Sequence, residues 1–269
     1  MAARTGQQAD IVVERFHREA EAAARLQSPH TVGLYDFGAT EDGTLYIVME
    51  LLEGMDLESL VRREGPLPAA RVVHILEQVC ESLEEAHASG LVHRDIKPAN
   101  LHIGRFGLRE DFVKVLDFGL VTTTGAPGAG RQLITAEGTA PGTPAYMAPE
   151  TIMGDQVDGR ADIYSLGCVA YYLLTGRLVF EASSALQGIA RRLQERPVPP
   201  SVRTELPIPA DLDALVLACL ATQPLDRPAT AAEVARRLAA LSVPPWTDEE
   251  AMGWWAAHGP ARDSRTSTA

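Results

Sequence analysis

The sequence feature that most constrains the fold is the stretch 93–100, which reads His-Arg-Asp-Ile-Lys-Pro-Ala-Asn. It supplies a carboxylate, an ammonium group and a carboxamide at short fixed spacing, so one loop could aim Asp95, Lys97 and Asn100 at a small volume. A further carboxylate, Asp117, follows a short and mostly apolar run. Asp95 could accept a proton from a hydroxyl, and Lys97 could neutralise a phosphate oxygen. Asn100 and Asp117 could hold a metal ion. These groups suit phosphoryl transfer, which depends mainly on positioning and charge neutralisation.

More motifs follow in a fixed order after this stretch. Asp117-Phe118-Gly119 precedes Thr143 and Ala148-Pro149-Glu150, and Asp162 and Arg227 lie further along the chain. A lone His-Arg-Asp is more simply a solvated turn, but chance does not explain the whole ordered set. The set resembles the protein kinase family, and within it the eukaryotic-like (Hanks-type) serine/threonine kinases of bacteria, over roughly residues 10 to 241.

The resemblance implies an α+β, two-lobed kinase fold with a truncated N-terminal β-lobe and a mainly α-helical C-terminal lobe. Residues 1–52 would form the truncated small lobe, with the family's helix C and the strands that follow it. Residues 53–241 would form the large lobe, and residues 242–269 a tryptophan-containing tail with a disordered end. We expect the tryptophans to dock on the lobe rather than on another partner, because exposed tryptophans are a liability.

The resemblance also implies roles for individual residues. The catalytic set is Asp95, Lys97, Asn100 and Asp117, of which Asn100 and Asp117 hold Mg²⁺. The nucleotide-binding set is Glu19, Met49, Glu50, Leu52, Asp56 and His102. Three of these have a plainer alternative: Glu19 as a solvated surface residue, Asp56 as a helix cap, and His102 as a packed, hydrogen-bonded histidine. ATP and Mg²⁺ are the implied cofactors, and Lys97 favours serine or threonine over tyrosine as the acceptor in a protein substrate.

Regulatory and structural residues follow from the same resemblance. Arg94 would pair with a phosphate on Thr135 or Thr139 and so order the activation loop, residues 120–142. Thr143 would bridge Asp95 and the family's catalytic lysine. The structural set is His93, Glu150, Asp162 and Arg227.

Two parts of a kinase domain are missing from the sequence. No glycine-rich loop precedes Glu19, and no lysine precedes Lys97. We therefore expect an N-terminally truncated form with impaired activity, through either a true truncation or a misassigned start. The alternative is a pseudokinase or binding module that uses the large lobe as a docking surface, although a scaffold has no need for all four catalytic residues. A small-molecule kinase is a weaker option, because the Ala-Pro-Glu segment and Arg227 oppose it.

Net charge and cysteine usage limit the class of macromolecule that the protein could bind and the cellular compartment that we expect for it. The net charge of -12 argues against a nucleic acid or an anionic membrane as the main partner. The cysteines, Cys80, Cys168 and Cys219, lie in apolar helical runs and indicate buried thiols in a cytoplasmic protein. No apolar run reaches the length of a membrane span. The sequence does not indicate an oligomeric state.

Periodicity and capping residues predict the main elements. A helix from Asp10 to about Leu26 should bury Phe16, Ala20 and Ala23. Strands are predicted over 31–37 and 44–51, and a small hairpin over 101–103 and 112–116. The predicted large-lobe helices are 57–63, 68–89, a buried helix from Asp162 to 174, 185–195, 211–221 and 230–241.

Overall fold

A computed structural model of the chain describes residues 13–14, 16–118 and 143–259, of which residues 143 and 144 are described in their backbone only. The predictions for Asp10, for the whole activation loop (residues 120–142) and for the disordered end of the tail lie outside these residues.

The first helix, α1, includes residues 16–24 and buries Phe16, Ala20 and Ala23, as predicted. Strands β1 (Leu34–Ala39) and β2 (Leu45–Met49) follow it and pair antiparallel. The first strand begins later than predicted, because residues 30–32 pair with a distant strand instead. Val32 N–H donates to Val115 O at 3.0 Å, and Val115 N–H donates to His30 O at 2.8 Å. This pairing ties the small lobe to the large one.

A second sheet has three strands, all of them after residue 53. It is antiparallel and has the order β3 (Gly54–Asp56), β4 (Leu101–Phe106) and β5 (Arg109–Val115). The sequence did not predict β3, and it predicted too short a β4, because glycine inside a strand weakens the strand pattern. Here Gly54 and Gly104 face each other across the ladder. A Cβ atom on Gly104 would lie 1.8 Å from Glu53 O, so the close approach of β3 and β4 requires glycine there.

The large lobe is built from helices around one apolar core. Their bounds are α2 (Leu57–Glu64), α3 (Ala69–Ala88), α4 (Pro149–Met153), α5 (Gly159–Thr175), α6 (Ala185–Gln194), α7 (Ala210–Cys219), α8 (Ala231–Ala239) and α9 (Asp248–His258). Helix α5 is buried on every face from Ala161 to Thr175, and α3 packs on α5, α8 and β5. Helix α5 is therefore the buried pillar that its apolar sequence predicts.

Helix α5 begins earlier than predicted because Asp158, not Asp162, caps it. The Asp158 carboxylate accepts the N–H of Arg160, and Gly176 ends the helix with a positive φ of 68°. Asp162 is thereby placed inside the first turn, where its side chain accepts the backbone N–H groups of His93 and Arg94. Helix α9 was not predicted; it carries the tryptophan tail, which packs on the large lobe as expected.

The three cysteines are buried free thiols, as predicted. Burial raises the pKa of Cys168 and of Cys219 to about 12, so neither thiol ionises at neutral pH. In the described part of the chain, none of the helices combines the length and the apolar character needed to cross a membrane.

Candidate active site

The carboxylate of Asp162 holds the loop that carries Asp95. It is fully buried and accepts the backbone N–H groups of His93 and Arg94, each at 2.8 Å. His87 Nε2 lies 2.8 Å from the same carboxylate. Arg94 has a φ of 67°, in the left-handed region that non-glycine residues seldom adopt. The buried carboxylate therefore stabilises a turn that the chain would not otherwise favour.

His93 links the catalytic loop to the segment before Asp117. Its Nδ1 accepts the N–H of Asp95 at 3.2 Å, and its Nε2 lies 2.7 Å from Leu116 O. Since a carbonyl only accepts, the proton sits on Nε2, and the ring orientation is set at both nitrogens. The ring also packs on Phe118, with centroids 4.7 Å apart. The loop is thus connected to residues 116–118 through His93.

Asp95, Lys97 and Asn100 converge as their spacing suggests. Lys97 Nζ lies 2.6 Å from Asp95 Oδ2, and Asn100 Nδ2 donates to the same oxygen at 3.0 Å. Asn100 Nδ2 also donates to Asp95 O at 2.8 Å, which fixes its amide. The side chains of Asp95 and Lys97 are each 22% exposed, so a substrate can reach both.

Asp117 is placed near this cluster because the preceding residue, Leu116, is hydrogen-bonded to Asn100. Leu116 N–H donates to Asn100 O at 2.9 Å, and Asp117 itself has a φ of 56°. Because Asn100 donates from Nδ2 to Asp95, its Oδ1 is the side-chain atom that could bind a metal ion. An amide oxygen and a carboxylate are the hard oxygen donors that Mg²⁺ prefers, so the two residues fit that ion.

The segment that follows the activation loop, residues 143–150, is bonded by side chains of the large lobe. Ser165 Oγ donates to Tyr146 O at 2.8 Å, and Arg192 Nη2 donates to Ala145 O at 2.9 Å. Glu150 forms a buried, bidentate ion pair with Arg227, in which Nη1 donates to Oε1 at 2.6 Å and Nη2 donates to Oε2 at 2.8 Å. Thr143 begins a 3₁₀ helix, Thr143–Tyr146. The side chain of Thr143, and the whole of Thr135 and Thr139, lie outside the described residues.

Residues 49–52, the expected hinge between the two lobes, include three of the predicted nucleotide-binding residues, and these differ in their surroundings. Met49 ends β2 and Leu52 is half-buried, whereas the Glu50 side chain is engaged. Glu50 Oε1 accepts Gly33 N–H at 2.7 Å and pairs with Lys114 Nζ at 2.7 Å. The Lys114 ammonium also donates to Thr31 O at 3.2 Å. The backbone N–H of Glu50 also donates to Gly33 O at 2.9 Å, so the carbonyl is the part of Glu50 that could meet a nucleotide.

A cleft of about 380 Å³ lies between the hinge and the β4–β5 turn, and Glu50, Leu52 and Phe106 are among its lining residues.

Asp56 serves as a helix cap in this structure. Its carboxylate accepts Ser59 N–H at 2.8 Å and Ser59 O–H at 2.7 Å, at the start of α2. His102 lies opposite Asp56 in the β3–β4 ladder. Burial lowers the pKa of His102, and the charge of Asp56 offsets part of that shift. Glu19 lies half-buried on α1. His102 is thus a packed residue of the β3–β4–β5 sheet. Asp56 caps α2, which is the plainer of the two roles considered for it in the sequence.

Two buried polar groups near the site were not predicted from the sequence. Lys114 pairs with Glu50, and Asp111, at the start of β5, pairs with Arg71 at 2.7 Å. A signal for Lys114 was available, since it is one of the two lysines in the sequence and lies in an apolar strand. Asp111 carries no such signal, because its partners are far away in the sequence.

Comparisons with known proteins agree with this geometry. A family profile described as the protein kinase domain matches residues 2–238. The serine/threonine-protein kinase pkn3 of Myxococcus xanthus is 44% identical over 220 residues, which cover 81% of this chain and 40% of pkn3. PknB of Mycobacterium tuberculosis is 42% identical over 223 residues, which cover 82% of this chain and 34% of PknB. The chain thus spans about two fifths or less of the length of these curated relatives.

The fold also matches solved structures. A crystal structure of Rad53 residues 1–466 with AMP-PNP superimposes with a TM-score of 0.68 at 28% identity, covering 82% of this chain and 53% of that chain. A crystal structure of the Rad53 kinase domain with SCD2 superimposes with a TM-score of 0.66, also at 28% identity, covering 84% of this chain and 78% of that one. The predicted α+β, two-lobed kinase fold is confirmed.

Proposed function

The chain belongs to the protein kinase family, and we propose on that basis that it transfers the γ-phosphate of ATP to serine or threonine hydroxyls of proteins. The observation that supports this most directly is the convergence of Lys97 and Asn100 on one oxygen of Asp95. Its curated relatives pkn3 and PknB are named as serine/threonine kinases. Lys97, two residues after Asp95, is the family's pattern for a serine or threonine acceptor.

Asp95 orients the attacking hydroxyl and takes its proton. In the described part of the chain, Lys97 and Asn100 both contact Oδ2 of Asp95, so we assign Oδ1 as the oxygen that receives the hydroxyl hydrogen. A carboxylate held at one oxygen cannot rotate away from the substrate. Such positioning accounts for a large share of the rate in phosphoryl transfer.

Lys97 and the proposed metal ligands offset the negative charge of the phosphate groups. The Lys97 ammonium lies within reach of whatever binds next to Asp95, and it offers hydrogen bonds to the oxygens of the transferred phosphoryl group. Asn100 Oδ1 and the Asp117 carboxylate would hold Mg²⁺. That ion, when bound, neutralises charge on the phosphates of ATP. The hinge backbone at Glu50, with Met49 and Leu52, is the proposed adenine contact.

Regulation by phosphate on the activation loop is part of the proposal. The Arg94 side chain is exposed next to Asp95, so a phosphothreonine at position 135 or 139 could reach it. A charge-assisted pair with a phosphate is stronger than a neutral hydrogen bond and would order the loop around the site.

Asp95→Asn tests the proposal. The substitution keeps the shape of the side chain but removes its basicity. Transfer of phosphate to a generic protein substrate should fall by about a hundredfold or more, the size typical for loss of one essential polar group in an active site. Binding of Mg-ADP and the thermal unfolding midpoint should stay close to those of the wild type. Wild-type turnover by Asp95→Asn would refute the assignment.

The same assay separates the enzyme from the alternative of a binding module. It should be run on the 269-residue chain and on a chain extended upstream in frame. Transfer only by the extended chain would support the prediction of missing N-terminal strands, and equal transfer by both would refute it. Nucleotide binding without transfer by either chain would favour a pseudokinase.

A further inference from the structure

The tryptophan tail, residues 246–259, is built as a defined unit. Helix α9 begins with a complete capping box: Thr247 Oγ1 accepts Glu250 N–H at 3.2 Å, and Glu250 Oε2 accepts Thr247 N–H at 2.8 Å. The box satisfies N–H groups at the helix start and fixes where the helix begins. All three tryptophans of the chain, Trp246, Trp254 and Trp255, belong to this unit.

The tail docks on one carboxylate of the large lobe. Trp246 Nε1 donates to Asp111 Oδ2 at 2.7 Å, and Trp255 Nε1 donates to Asp111 Oδ1 at 2.6 Å. Arg71 donates to the same two oxygens, from Nε at 2.8 Å and from Nη2 at 2.7 Å. Each oxygen of Asp111 therefore accepts one guanidinium N–H and one indole N–H.

The rings of the tail cover the ion pair as well as bonding to it. The Arg71 guanidinium carbon lies 3.9 Å from the ring centroid of Trp254 and 5.4 Å from that of Trp246. Arg71 is 1% exposed and Asp111 is 0% exposed. A buried ion pair needs its remaining hydrogen-bonding capacity satisfied, and a cation gains from a facing indole. The tail supplies the hydrogen bonds to Asp111 and the indole ring that faces Arg71. The ion pair and the tail therefore stabilise each other.

A second contact secures the far end of the tail. Arg63, at the end of α2, donates from Nη2 to His258 O at 2.6 Å, and its guanidinium lies 5.8 Å from the Trp254 ring centroid. The tail therefore contacts α2 through Arg63, α3 through Arg71 and β5 through Asp111.

Asp111 connects the docked tail to the candidate active site. It is part of β5 and has a φ of 52°, which is uncommon for a residue other than glycine. Gln78 fixes the backbone beside it, donating to Asp111 O at 3.0 Å and accepting Val113 N–H at 2.9 Å. From there β5 runs to Val115, and Asp117 follows directly after Leu116.

We infer that the tail is an intramolecular clamp that holds β5 and thereby positions Asp117 for the nucleotide-bound metal. The inference about Asp117 rests on the proposed kinase function, whereas the docking contacts do not. Asp111, Trp246 and Trp255 are positioning residues, since none of them lies among the catalytic groups. Release of the tail should loosen β5 first and weaken Mg-nucleotide binding as a consequence.

The test removes the two indole donors and keeps the aromatic rings. In Trp246→Phe with Trp255→Phe, amide hydrogen exchange should quicken across α9 and also across β5. The affinity for Mg-ADP should fall by about fivefold or more, the low end of couplings between separate sites. Thr247→Ala, which removes the helix cap without touching the lobe, should shift the same three quantities in the same direction. Met252→Ala, at an exposed side chain of the same helix, is the matched control and should shift none.

The outcomes separate the clamp from the proposed function. Faster exchange in α9 with unchanged exchange in β5 and unchanged Mg-ADP affinity would overturn the clamp. Unchanged exchange in α9 would show that the indole donors do not hold the tail, and would overturn it as well. If the wild-type chain bound no Mg-ADP, the proposed function would be in question, and the exchange of β5 would still decide whether the tail clamps that strand.

Discussion

Two regions of this molecule use the same device, a fully buried aspartate that collects hydrogen-bond donors. In the catalytic loop, Asp162 accepts the backbone N–H groups of His93 and Arg94. In strand β5, Asp111 accepts hydrogen bonds from Arg71 and from two tail tryptophans. Both regions also contain a non-glycine residue with positive φ, Arg94 in the first and Asp111 itself in the second. The Asp162 carboxylate bonds the turn at Arg94 directly, whereas the backbone around Asp111 is bonded by Gln78.

The two regions differ in what supplies the donors. Asp162 receives main-chain donors from one short loop, so the arrangement depends on a few neighbouring residues at fixed spacing. Asp111 receives side-chain donors from places separated by 40, 135 and 144 residues along the chain. A main-chain contact survives most substitutions of the donor residue, whereas each side-chain contact is lost with a single substitution. We therefore expect the first region to control catalysis and the second to control stability and the mobility of β5.

The largest effect is expected from Asp162→Ala. It leaves the buried N–H groups of His93 and Arg94 without an acceptor, at about 1–3 kcal/mol for each group. It also releases the loop that carries Asp95, and a displacement on the order of 1 Å is enough to cost about a hundredfold in rate. Both the free energy of unfolding in urea and the rate of phosphate transfer should fall.

The matched control for Asp162→Ala is Asp158→Asn on the same helix. Asn keeps the cap of α5 and removes only the charge that faces Arg160. It should leave the transfer rate near that of the wild type. If Asp162→Ala retained wild-type transfer, the catalytic loop would not depend on its buried acceptor, and the comparison between the two regions would fail.

Asp111→Asn is expected to have the second-largest effect, and mainly on stability. It leaves the Arg71 cation buried without a counter-charge and turns an amide N–H₂ toward an N–H donor. Breaking a buried ion pair at one partner costs about 3–5 kcal/mol. Because every tryptophan lies in the tail, the urea transition followed by tryptophan fluorescence should shift to a lower concentration.

An exposed ion pair provides the control for Asp111→Asn. Glu58→Gln removes the partner of Arg62 on the surface of α2, where the Arg62 side chain is 70% exposed. Its cost should be about 0.5 kcal/mol or less. Equal shifts for Asp111→Asn and Glu58→Gln would show that the tail adds nothing to the Arg71–Asp111 pair.

The smallest effect concerns His30, which packs against β5. Its Nδ1 donates to Val113 O at 2.9 Å, and its ring stacks on Phe112 with centroids 4.4 Å apart. Burial is the main cause that lowers the pKa of His30 below 6.5, helped by Lys114 and His74 and opposed by Val113 O and Glu81. The unfolded chain then binds the proton more readily than the folded one.

The sign of the pH dependence follows from that difference. The contribution of His30 is present above pH 6.5 and is lost as the pH falls through the lowered folded pKa. Unfolding in urea at pH 7.5 and at pH 5.5 should show the wild type losing more stability than His30→Gln. A residual loss should remain in the variant, because burial also lowers the pKa of His102. Identical losses would mean that His30 titrates as it does in the unfolded chain.

Much of the fold was predictable from the sequence, and the boundaries were the weaker part. The apolar face of α1 and the buried α5 follow from local periodicity, because burial on one face or on all faces leaves a direct pattern. Strand β3 was missed, since three residues that begin with glycine give no strand signal. The start of β1 was wrong because residues 30–32 pair with β5, and no local pattern distinguishes one strand partner from another.

The sequence by itself determined the loop 93–100, since His93, Asp95, Lys97 and Asn100 lie within one short segment whose spacing limits where each side chain can point. It also indicated the family, because the remaining motifs recur in a fixed order. The tertiary structure alone decided how Asp111, Arg71 and the tail tryptophans meet, and that Lys114 pairs with Glu50 across the hinge. The physical reason is distance along the chain: a contact within a loop is limited by backbone geometry, whereas a contact between remote residues exists only once the core has packed.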